Sequence, residues 1–366
     1  MKFIGAFALG LLPGCVAWQG TTEVWVSGQG GYASYRIPAL VRANDGTMLA
    51  FCEGRVKGIS DSGDIDLVMR RSMDEGRTWG PMEIIWDDGK NTCGNPCPVV
   101  DRKTGNIFLL ATRNLGHDHE PEIIQGTSEE TRTVWVLESS DHGRNWSVPK
   151  EITSATKSPD WSWYATGPGA GIQMQKGKLA GRLVIPCDHI EKGSKKYFSH
   201  VIFSDDHGVT WQMGGSTPLD KVNECEVAEL EDGRLLLNMR NYDRTQKTRQ
   251  RAESLDGGLT WIRQNHDAAL IEPICQASLR RLRWKKGNKP GILMFSNPAS
   301  SSAREKLTLR FSWDEGNSWP ESWLIYAGSS AYSCLAVTKG GAPACLFEVD
   351  GYGRILYSKM HLPGKS

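Results

Sequence analysis

One eight-residue motif, Ser-x-Asp-x-Gly-x-(Thr/Ser/Asn)-Trp, occurs five times along this chain and limits the possible folds more than any other feature. Its aspartates are Asp74, Asp141, Asp206, Asp256 and Asp314, so consecutive copies are separated by 67, 65, 50 and 58 residues. A repeat of this length is typical of proteins built from similar β units that stack against one another. The sequence therefore predicts a repeat protein.

The chemistry of the motif indicates a tight turn between two strands. The aspartate carboxylate can accept hydrogen bonds from backbone N–H groups of the turn, and glycine tolerates a positive φ angle there. The closing tryptophan is large and apolar, so we expect it to pack back into the sheet. Strand-like runs precede the copies, for example Thr133–Glu138 and Phe198–Phe203. We expect the motif to stabilise the fold and assign it no catalytic role.

A second repeat, a glycine-containing turn followed by an apolar strand, occurs six times. Its strands are predicted at Thr47–Cys52, Asn106–Thr112, Arg182–Pro186, Arg234–Met239, Ile292–Phe295 and Ala342–Phe347. Six units of about 60 residues suit an all-β fold, a six-bladed β-propeller formed by residues 21–366. A strand around Thr22–Val26 is expected to pair with the last unit. The 366 residues, with 40 glycines and 14 tryptophans, fit many short strands joined by turns.

The overall composition argues against several classes of function. Lys and Arg number 43 and Asp and Glu 42, so the formal net charge is only +1 and no global field favours nucleic acid. Hydrophobic residues make up 39% and charged residues 23%, which is typical of a soluble globular chain. We expect no nucleic-acid partner, and nothing in the sequence indicates an obligate protein partner.

Residues 1–20 are predicted to be a targeting segment. Lys2 precedes the apolar run Phe3–Leu12, which is too short to span a bilayer but suits a signal peptide. Cleavage after Ala17 is one outcome, and lipidation at Cys15, in a segment that resembles a bacterial lipoprotein box, is another. An apolar N-terminal strand is the structural alternative. On the targeting hypothesis the protein is exported, and is secreted, periplasmic or lipid-anchored at the cell surface.

The other eight cysteines fit small core residues. Several of them lie inside apolar runs, as Cys52 and Cys345 do. Cys93 and Cys97 are four residues apart, which leaves a local disulfide open, but no second Cys or His pair completes a zinc pattern. We therefore expect no metal site at these cysteines.

Polar side chains follow the six apolar strands of the second repeat. In a propeller the equivalent strands run the same way along the central channel, so their ends gather at one mouth. A solvated surface is the alternative, but charged and amide groups directly after apolar strands favour a site for a polar ligand. The residues concerned are Glu53, Arg55, Arg113, Asp188, His189, Arg240, Asn297 and Glu348.

Several motifs together resemble the sialidase (exo-α-neuraminidase) family, from about Tyr32 to the C-terminus. They include Tyr35–Pro38 (YRIP), Phe51–Arg55 (FCEGR), Asn223–Glu226 (NECE), Leu237–Arg240 (LNMR) and the aspartate motif, which matches the Asp-box of that family. The resemblance implies a six-bladed propeller and a retaining glycosidase that acts on sialylated glycans without cofactor or metal. The motifs do not specify a linkage preference.

The resemblance assigns three arginines, Arg36, Arg240 and Arg304, to the carboxylate of sialic acid. Planar guanidinium groups suit this role because they form paired, charge-assisted hydrogen bonds with a carboxylate. Three converging cations repel one another, so a nearby anion is expected, and Glu348 matches the family glutamate that holds the first arginine. Each arginine alone fits a surface ion pair better, so the joint match carries the assignment.

The resemblance also implies a tyrosine nucleophile, Tyr332, with Glu224 as its base. Sialidases differ in this from most retaining glycosidases, which use a carboxylate. A neutral phenol avoids bringing negative charge toward a carbon that already bears a carboxylate, and its pKa near 10 requires an adjacent base. Glu226 and Glu229 are rival carboxylates, and a buried structural tyrosine is the alternative for Tyr332.

Asp61, six residues after Arg55, is predicted to be the general acid and base. It would protonate the leaving oxygen and then activate water. Asp64 and Asp66 compete for this role, although Asp66 opens a strand and fits a structural residue better. Arg55 and Glu53 are expected to line the pocket.

Two further groups of side chains stay open on the sequence alone. Trp161, Trp163 and Tyr164 could cover part of the sugar or pack between blades. His117 and His119 resemble metal ligands but fit a solvated loop better.

Three functions compete on this evidence. An exo-sialidase is the leading hypothesis, and a trans-sialidase, including an intramolecular one, would transfer the sugar to a hydroxyl other than water. A non-catalytic sialic-acid-binding propeller is the third. The complete set of residues favours an enzyme, because a binding module has no need for a nucleophile and its base.

Overall fold

A computed structural model describes residues 20–360, which form 24 β-strands and only short helical segments. The prediction of an all-β fold is confirmed. The predicted targeting segment, residues 1–20, lies outside the described residues except for Gly20. Within residues 20–360, the helices are all too short to cross a membrane.

The N-terminal part contributes strand β1 (Thr22–Val26) and then an eight-stranded sheet. This sheet contains β2 (Ser34–Arg42), β3 (Met48–Arg55), β4 (Ile65–Ser72), β5 (Glu83–Trp86), β6 (Thr92–Val100), β7 (Ile107–Asn114), β8 (Thr133–Ser139) and β9 (Lys150–Glu151). Its order is β2-β3-β4-β6-β7-β8-β9, with β5 paired to β4. One parallel bridge, Ile65 to Thr92, joins two halves that are otherwise antiparallel. Helix α1 (Glu120–Gln125) lies between β7 and β8.

Two smaller antiparallel sheets follow helix α2 (Thr153–Thr156). The first contains β10 (Trp161–Thr166), β11 (Ile172–Gln173), β12 (Leu183–Glu191), β13 (Tyr197–Ser204) and β14 (Gln212–Ser216), with a 3₁₀ turn at Gly177–Leu179. Its order is β10-β12-β13-β14, with β11 paired to β12. The second runs in chain order through β15 (Val222–Glu229), β16 (Leu235–Asn241), β17 (Thr248–Ser254) and β18 (Ile262–Ile271).

The last sheet has seven strands and includes both ends of the described chain. It contains β19 (Ser278–Arg283), β20 (Ile292–Pro298), β21 (Glu305–Ser312), β22 (Glu321–Val337), β23 (Pro343–Val349) and β24 (Arg354–Lys359), in the order β1-β24-β23-β22-β21-β20-β19. The first half of β22 pairs with β21 and its second half with β23, so this strand links two groups. Strand β1 pairs with β24, as the sequence predicted.

The strands of the second repeat form the buried centre of the sheets. The six predicted strands correspond to β3, β7, β12, β16, β20 and β23. The run Met48–Cys52 is fully buried on both faces, which explains why it is continuously apolar and does not alternate. All eight cysteines of residues 20–360 are buried free thiols, so Cys93 and Cys97 pack as core residues and form no disulfide in this structure.

The repeated motif forms the turn that its sequence predicted. In the first copy Asp74 accepts a hydrogen bond from the Thr78 N–H (2.9 Å) and another from the Thr78 hydroxyl (2.7 Å). Ser72 donates to Asp74 and accepts from the N–H of Gly76, whose φ angle is +85°. The same carboxylate contacts recur at Asp141, Asp206, Asp256 and Asp314. Each copy therefore closes a hairpin.

The glycine of each motif also packs tightly against another group of strands. A Cβ on Gly76 would lie 2.0 Å from the Tyr357 ring of β24, so only glycine fits at this position. The motif glycines of the other copies approach Leu49, Phe108, Val201 and Leu236, which lie on the group of strands that precedes each of them in the chain. The motif thus fixes neighbouring groups of strands to one another.

Candidate active site

The candidate site lies where the first strand of a repeat unit begins and the second strand ends. Antiparallel pairing brings these two points together, as Arg36 of β2 opposite Glu53 of β3 illustrates. Arg36, Glu224 and Tyr332 each lie in or beside a shift of strand register. Such bulges turn side chains out of the regular alternation of a strand and are common next to active sites. They direct these three side chains into a common region.

Tyr332 and Glu224 are in direct contact. The Tyr332 hydroxyl donates a hydrogen bond to Glu224 Oε1, and Arg240 Nη1 donates to both Glu224 Oε2 (2.6 Å) and the Tyr332 oxygen (3.0 Å). Tyr332 is only 6% exposed. Burial and the Glu224 charge raise the pKa of Tyr332 well above its usual 10, although three arginines oppose that shift. The phenol is therefore neutral in the free protein, with a base already hydrogen-bonded to it.

The two rival carboxylates have other partners. Glu226 is buried and accepts hydrogen bonds from the Ser278 hydroxyl (2.9 Å) and the Leu279 N–H (2.7 Å). Glu229 accepts from two backbone N–H groups, those of Gln175 and Lys176. Of the three glutamates on β15, Glu224 is the one that contacts Tyr332.

Arg36 is held by Glu348, as the sequence predicted. Arg36 Nε donates to Glu348 Oε1 (2.9 Å), and the same carboxylate accepts from the backbone N–H groups of Ile37 (2.8 Å) and Tyr332 (3.1 Å). Burial works against the charge of Arg36, but Glu348, Tyr332 and Tyr352 together outweigh it, and the pKa of Arg36 is raised. Glu348 therefore ties the first arginine to the backbone of the predicted nucleophile.

All three predicted arginines contact Tyr332. The guanidinium carbons of Arg36 and Arg304 lie 5.2 and 5.7 Å from the centre of its ring, and Arg240 reaches its hydroxyl. Arg304 also donates to the Tyr352 hydroxyl (3.0 Å) and to the Ile274 carbonyl (3.1 Å). Three cations from distant parts of the chain thus surround one phenol, an arrangement that can bind a carboxylate.

Asp61 lies beside this cluster and is bound by Arg55. Arg55 Nη2 is 2.7 Å from Asp61 Oδ1 and 2.6 Å from Glu53 Oε2, whereas Arg36 Nη1 is 3.7 Å from Asp61. The Asp61 side chain is 65% exposed, so it faces the open side of the site. Partial burial raises its pKa, but Arg55 and Arg36 outweigh this effect, and the pKa lies below its usual 3.8. Asp61 is therefore ionised in the free protein.

The two competing aspartates do not contact these arginines. Asp66 is buried and accepts a hydrogen bond from the Tyr32 hydroxyl (2.5 Å), and burial raises its pKa to about 6. The backbone carbonyl of Asp64 accepts a hydrogen bond from Val56. Asp61 is the aspartate of the three that meets the arginine cluster.

Comparison with known proteins identifies the family. Residues 38–345 match the family described as "BNR repeat-like domain". The chain is 33% identical to the sialidase of Micromonospora viridifaciens over an alignment of 358 positions, gaps included, which covers 93% of this chain and 53% of that protein. It is 30% identical to Sialidase-3 of Rattus norvegicus over 375 residues, with 86% and 87% of the two chains covered. The chain belongs to the sialidase family.

The solved structures of sialidases agree with this membership. The Hadza microbial sialidase Hz136 superposes with a TM-score of 0.84 at 32% identity and covers 92% of this chain and 68% of its own. A leech intramolecular trans-sialidase gives 0.77 at 18% identity, which shows a shared fold. The chain spans 53% and 61% of the length of the bacterial sialidases from M. viridifaciens and Bacteroides fragilis.

Tyr352 is a residue of this sialidase site that the sequence did not reveal. Its hydroxyl accepts a hydrogen bond from Arg304, and its ring lies 4.0 Å from the guanidinium carbon of Arg36. It lies in the loop between β23 and β24 with a φ angle of +73°. A non-glycine residue in that conformation is unusual, but only coordinates can show it. No repeat or motif marked this position.

Arg132 is a second residue near the site that the sequence did not reveal. It is 3% exposed, and among residues 20–360 its guanidinium has no hydrogen-bond acceptor. It lies 4.2 Å over the Trp163 ring, and its pKa is lowered by burial, against the charges of Glu53 and Glu120.

Asp188, which the sequence placed among the polar residues at the strand ends, is also buried, and burial together with the Glu224 charge raises its pKa. These groups extend the polar lining of the site beyond Asp61 and Glu224.

The other predicted side chains have partners of their own. Trp161 stacks on His189 with ring centres 3.5 Å apart, and Tyr164 is fully buried, so both pack inside the protein.

Two residues from the predicted strand ends form contacts elsewhere. Arg113 pairs with Asp88 and Glu130, and Asn297 bonds to Arg310 and the Ile271 carbonyl. His117 and His119 contact Glu129 and Ser62. Within residues 20–360, no three His, Cys, Asp or Glu side chains form a metal-binding group.

Proposed function

We propose that this chain is an exo-α-sialidase that removes terminal sialic acid from glycoproteins, glycolipids or oligosaccharides with retention of configuration. The observation that carries the proposal is the contact of Tyr332 with Glu224 inside a ring of Arg36, Arg240 and Arg304. A purely carbohydrate-binding protein would have no use for a buried phenol hydrogen-bonded to a carboxylate. The names of the relatives, sialidases, support the same reaction.

The arginines would bind the carboxylate on the anomeric carbon of the substrate. Paired N–H donors match the two oxygens of a carboxylate and fix its orientation. Because Arg36 and Arg240 are already held by Glu348 and Glu224, little side-chain entropy remains to be lost on binding. The anomeric carbon would then lie next to the Tyr332 hydroxyl.

The first chemical step would form a covalent sialyl-enzyme. Glu224 takes the phenol proton, the Tyr332 oxygen bonds to the anomeric carbon, and the glycosidic C–O bond breaks. Asp61 donates a proton to the departing oxygen. In the second step Asp61 takes a proton from water, water attacks the same carbon, and the phenolate leaves and recovers its proton from Glu224. Two displacements restore the original configuration.

Substrate binding would also prepare Asp61 for its role as acid. In the free protein Arg55 and Arg36 keep its pKa low, which favours the ionised form. A bound carboxylate at Arg36 cancels part of that positive field and adds a negative charge nearby, and both effects raise a carboxyl pKa. The protonated form needed for the first step is therefore favoured once the substrate is in place.

The test is turnover of a fluorogenic α-sialoside by Tyr332→Phe. We expect turnover to fall by at least about 10³-fold, because the nucleophilic oxygen is lost. Binding of a non-hydrolysable sialic-acid analogue, measured by calorimetry, should persist because the arginines remain. Tyr326→Phe, on the same strand, is the matched control and should keep full turnover, since its hydroxyl contacts Asp350 away from the arginines.

Other outcomes would redirect the proposal. Undiminished turnover in Tyr332→Phe would remove Tyr332 from the mechanism. A wild-type protein that binds the analogue but releases no sialic acid would be a binding propeller. Transfer to added lactose in preference to water, or release of an internal anhydro sugar, would identify a trans-sialidase.

We also propose that the strands form six blades around one channel. The support comes from the motif glycines, since the four later copies each pack against the preceding group of strands and the first copy packs against the last group. The eight-stranded sheet then counts as two blades, and the seven-stranded sheet, whose two groups are joined by β22, counts as two more. The two smaller sheets are one blade each, which gives six. A crystal structure of the chain that showed a different blade number would contradict this count.

Export is the last element of the proposal. Lys2 and the apolar run Phe3–Leu12 support a signal peptide, and glycans on the cell exterior would be the accessible substrates. Mass spectrometry of the mature N-terminus after expression with the full sequence distinguishes cleavage after Ala17 from lipidation of Cys15. An intact Met1 in a protein retained in the cytoplasm would contradict export.

A further inference from the structure

A cavity of about 440 Å³ lies at the other end of the strands that carry the site. Arg36, Glu224 and Tyr332 lie near the beginnings of β2, β15 or the second half of β22, and the same strands reach the cavity at Arg42, Glu229 and Val337. At about 3.3 Å per residue, five or six residues separate the two places by about 15–20 Å. The cavity is therefore a different place from the candidate active site.

The polar lining of this cavity is strongly biased toward positive charge. Five of its lining residues are arginines and one is a carboxylate, Glu229, whereas the whole chain has a net charge of only +1. The lining arginines are Arg42, Arg102, Arg280, Arg281 and Arg283. We call this place the arginine cavity. A general excess of basic residues cannot explain it.

Among the described residues, three of these arginines have no carboxylate partner, and one of them, Arg283, donates to the Pro290 carbonyl (3.3 Å). Arg42 donates from Nε to the Val337 carbonyl (2.9 Å), and among residues 20–360 the Arg102 guanidinium has no hydrogen-bond acceptor. Desolvation and then repulsion from Arg42 and Arg280 lower the pKa of Arg102 against the charge of Glu229, so these groups, which line the same cavity, act on one another electrostatically. Like charges brought together without counter-ions are destabilising unless an anion joins them.

The remaining charges do not cancel this excess. Arg281 is paired with Glu315, and Arg280 lies 3.5 Å from the buried Glu226 while it donates to the Ala170 and Gly171 carbonyls. Glu229 supplies one negative charge, which opposes the lowering of the Arg102 pKa, but it stands against three guanidinium groups that have no carboxylate partner in the described chain. The free positive charge therefore belongs to Arg42, Arg102 and Arg283.

The size and floor of the arginine cavity indicate an organic ligand. A volume of 440 Å³ falls within the range of pockets that bind small molecules and is far larger than the space of one ion. Apolar side chains form the floor, among them Leu40, Val99, Ile172 and Leu335. Carbon atoms of a ligand could pack there while its charged groups meet the arginines at the rim.

We propose that the arginine cavity binds a small organic or condensed oxyanion with two or more negative charges, a polycarboxylate or a polyphosphate. Guanidinium groups bind both chemistries through paired N–H···O bonds. At least two charges are needed because Arg42 and Arg102 both lack a carboxylate partner. The site is independent of the proposed sialidase reaction.

The experiment is isothermal titration calorimetry of the full chain with citrate, with pyrophosphate and with acetate, at constant ionic strength. We expect saturable binding of citrate or pyrophosphate, weakened at least about tenfold by Arg102→Gln, because a charge-assisted hydrogen bond is lost. Citrate alone would identify a polycarboxylate site and pyrophosphate alone a polyphosphate site. Acetate carries one charge and should bind much more weakly.

Two controls separate this site from the arginines around Tyr332. Arg304→Gln should weaken anion binding at the candidate active site only, so the component sensitive to Arg102→Gln should persist in it. Arg144→Gln removes an exposed arginine that contacts only its own turn, and it should bind as the wild type does. The proposal is overturned if no divalent or trivalent anion binds, or if Arg102→Gln and Arg42→Gln both bind like the wild type.

Discussion

The two ends of the strands β2, β15 and β22 use arginine in opposite ways. At the Tyr332 end, Arg36 and Arg240 are bound by Glu348 and Glu224, and Arg304 rests on Tyr352. At the arginine cavity, Arg42 and Arg102 have only a carbonyl or no acceptor among the described residues. The arginines at the Tyr332 end are thus held in place before a ligand arrives. Those at the arginine cavity carry positive charge without a counter-ion.

This difference indicates different demands on the two sites. A reaction requires reacting atoms to be held within fractions of an ångström, and fixed arginines provide that geometry. Mere binding of an anion requires charge and space, and flexible side chains at a rim suffice. Replacing a glutamate or an arginine by glutamine at one end and then at the other tests whether the two ends have these different roles.

The largest difference is expected between two glutamates on β15. Glu224→Gln removes the base of Tyr332 and should lower turnover of an α-sialoside by about 10²–10⁴-fold, the usual contribution of a general base. Glu229→Gln, at the arginine cavity, should leave turnover unchanged, since the Glu229 carboxylate accepts its hydrogen bonds from the backbone N–H groups of Gln175 and Lys176 and from no group at the Tyr332 end. Steady-state kinetics on both variants measure the effect. Equal losses would mean that the two ends are not functionally separate.

A smaller difference is expected between two arginines. Arg304→Gln should raise KM for the sialoside by about 10–100-fold, because it removes a charge-assisted hydrogen bond to the substrate carboxylate. Arg102→Gln removes the same charge from the other end and should leave KM as it is. A KM that rises equally in both variants would show a general loss of positive field and not a specific contact.

The third difference concerns stability in acid, because the buried histidines lie near the Tyr332 end only. Burial lowers the pKa of His189 to about 3 and that of His200 below the usual 6.5. Between these values the unfolded chain binds protons that the folded chain cannot bind. The buried histidines therefore leave the free energy of unfolding unaffected above pH 6.5. As the pH falls below 6.5 this free energy decreases, by roughly 2–3 kcal/mol for His189 alone at pH 4.5.

Urea unfolding at pH 7.5 and pH 4.5 measures this change. His189→Asn should reduce the difference in unfolding free energy between the two pH values. His117→Asn is the matched control, because His117 is exposed and contacts only Glu129, and its difference should equal that of the wild type. If the wild-type protein were equally stable at both pH values, His189 and His200 could not be buried as neutral side chains.

The sequence predicted the six strands of the second repeat, strand β1 and the hairpin turns of the motif. The glycines and aspartates of the motif act through bonds to residues a few positions away, so the hairpin turns follow from local chemistry alone. Tyr332, Glu224 and the three arginines were assigned by resemblance to the sialidase family, because nothing local shows that residues 36 and 332 meet. Their contacts depend on the packing of separate sheets.

Features that arise from register or from convergence of distant residues could not be predicted. The bulges that direct Arg36, Glu224 and Tyr332 appear only when the strands are paired. Arg42 and Arg102 occur in ordinary contexts, and only the fold brings them to one cavity with Arg280. Arg113 and Asn297 follow apolar strands as Arg240 does, yet each has a partner nearby that the sequence did not indicate.

The pairing of β1 with β24 has a consequence for how the protein is made. Of the 24 described strands β1 is made first, yet its partner β24 is made last. The final sheet therefore cannot be completed before β24 has left the ribosome, and the nascent chain must keep one edge strand, Thr22–Val26, unpaired until then. Folding during synthesis thus leaves this sheet open while nearly all of the described chain is made.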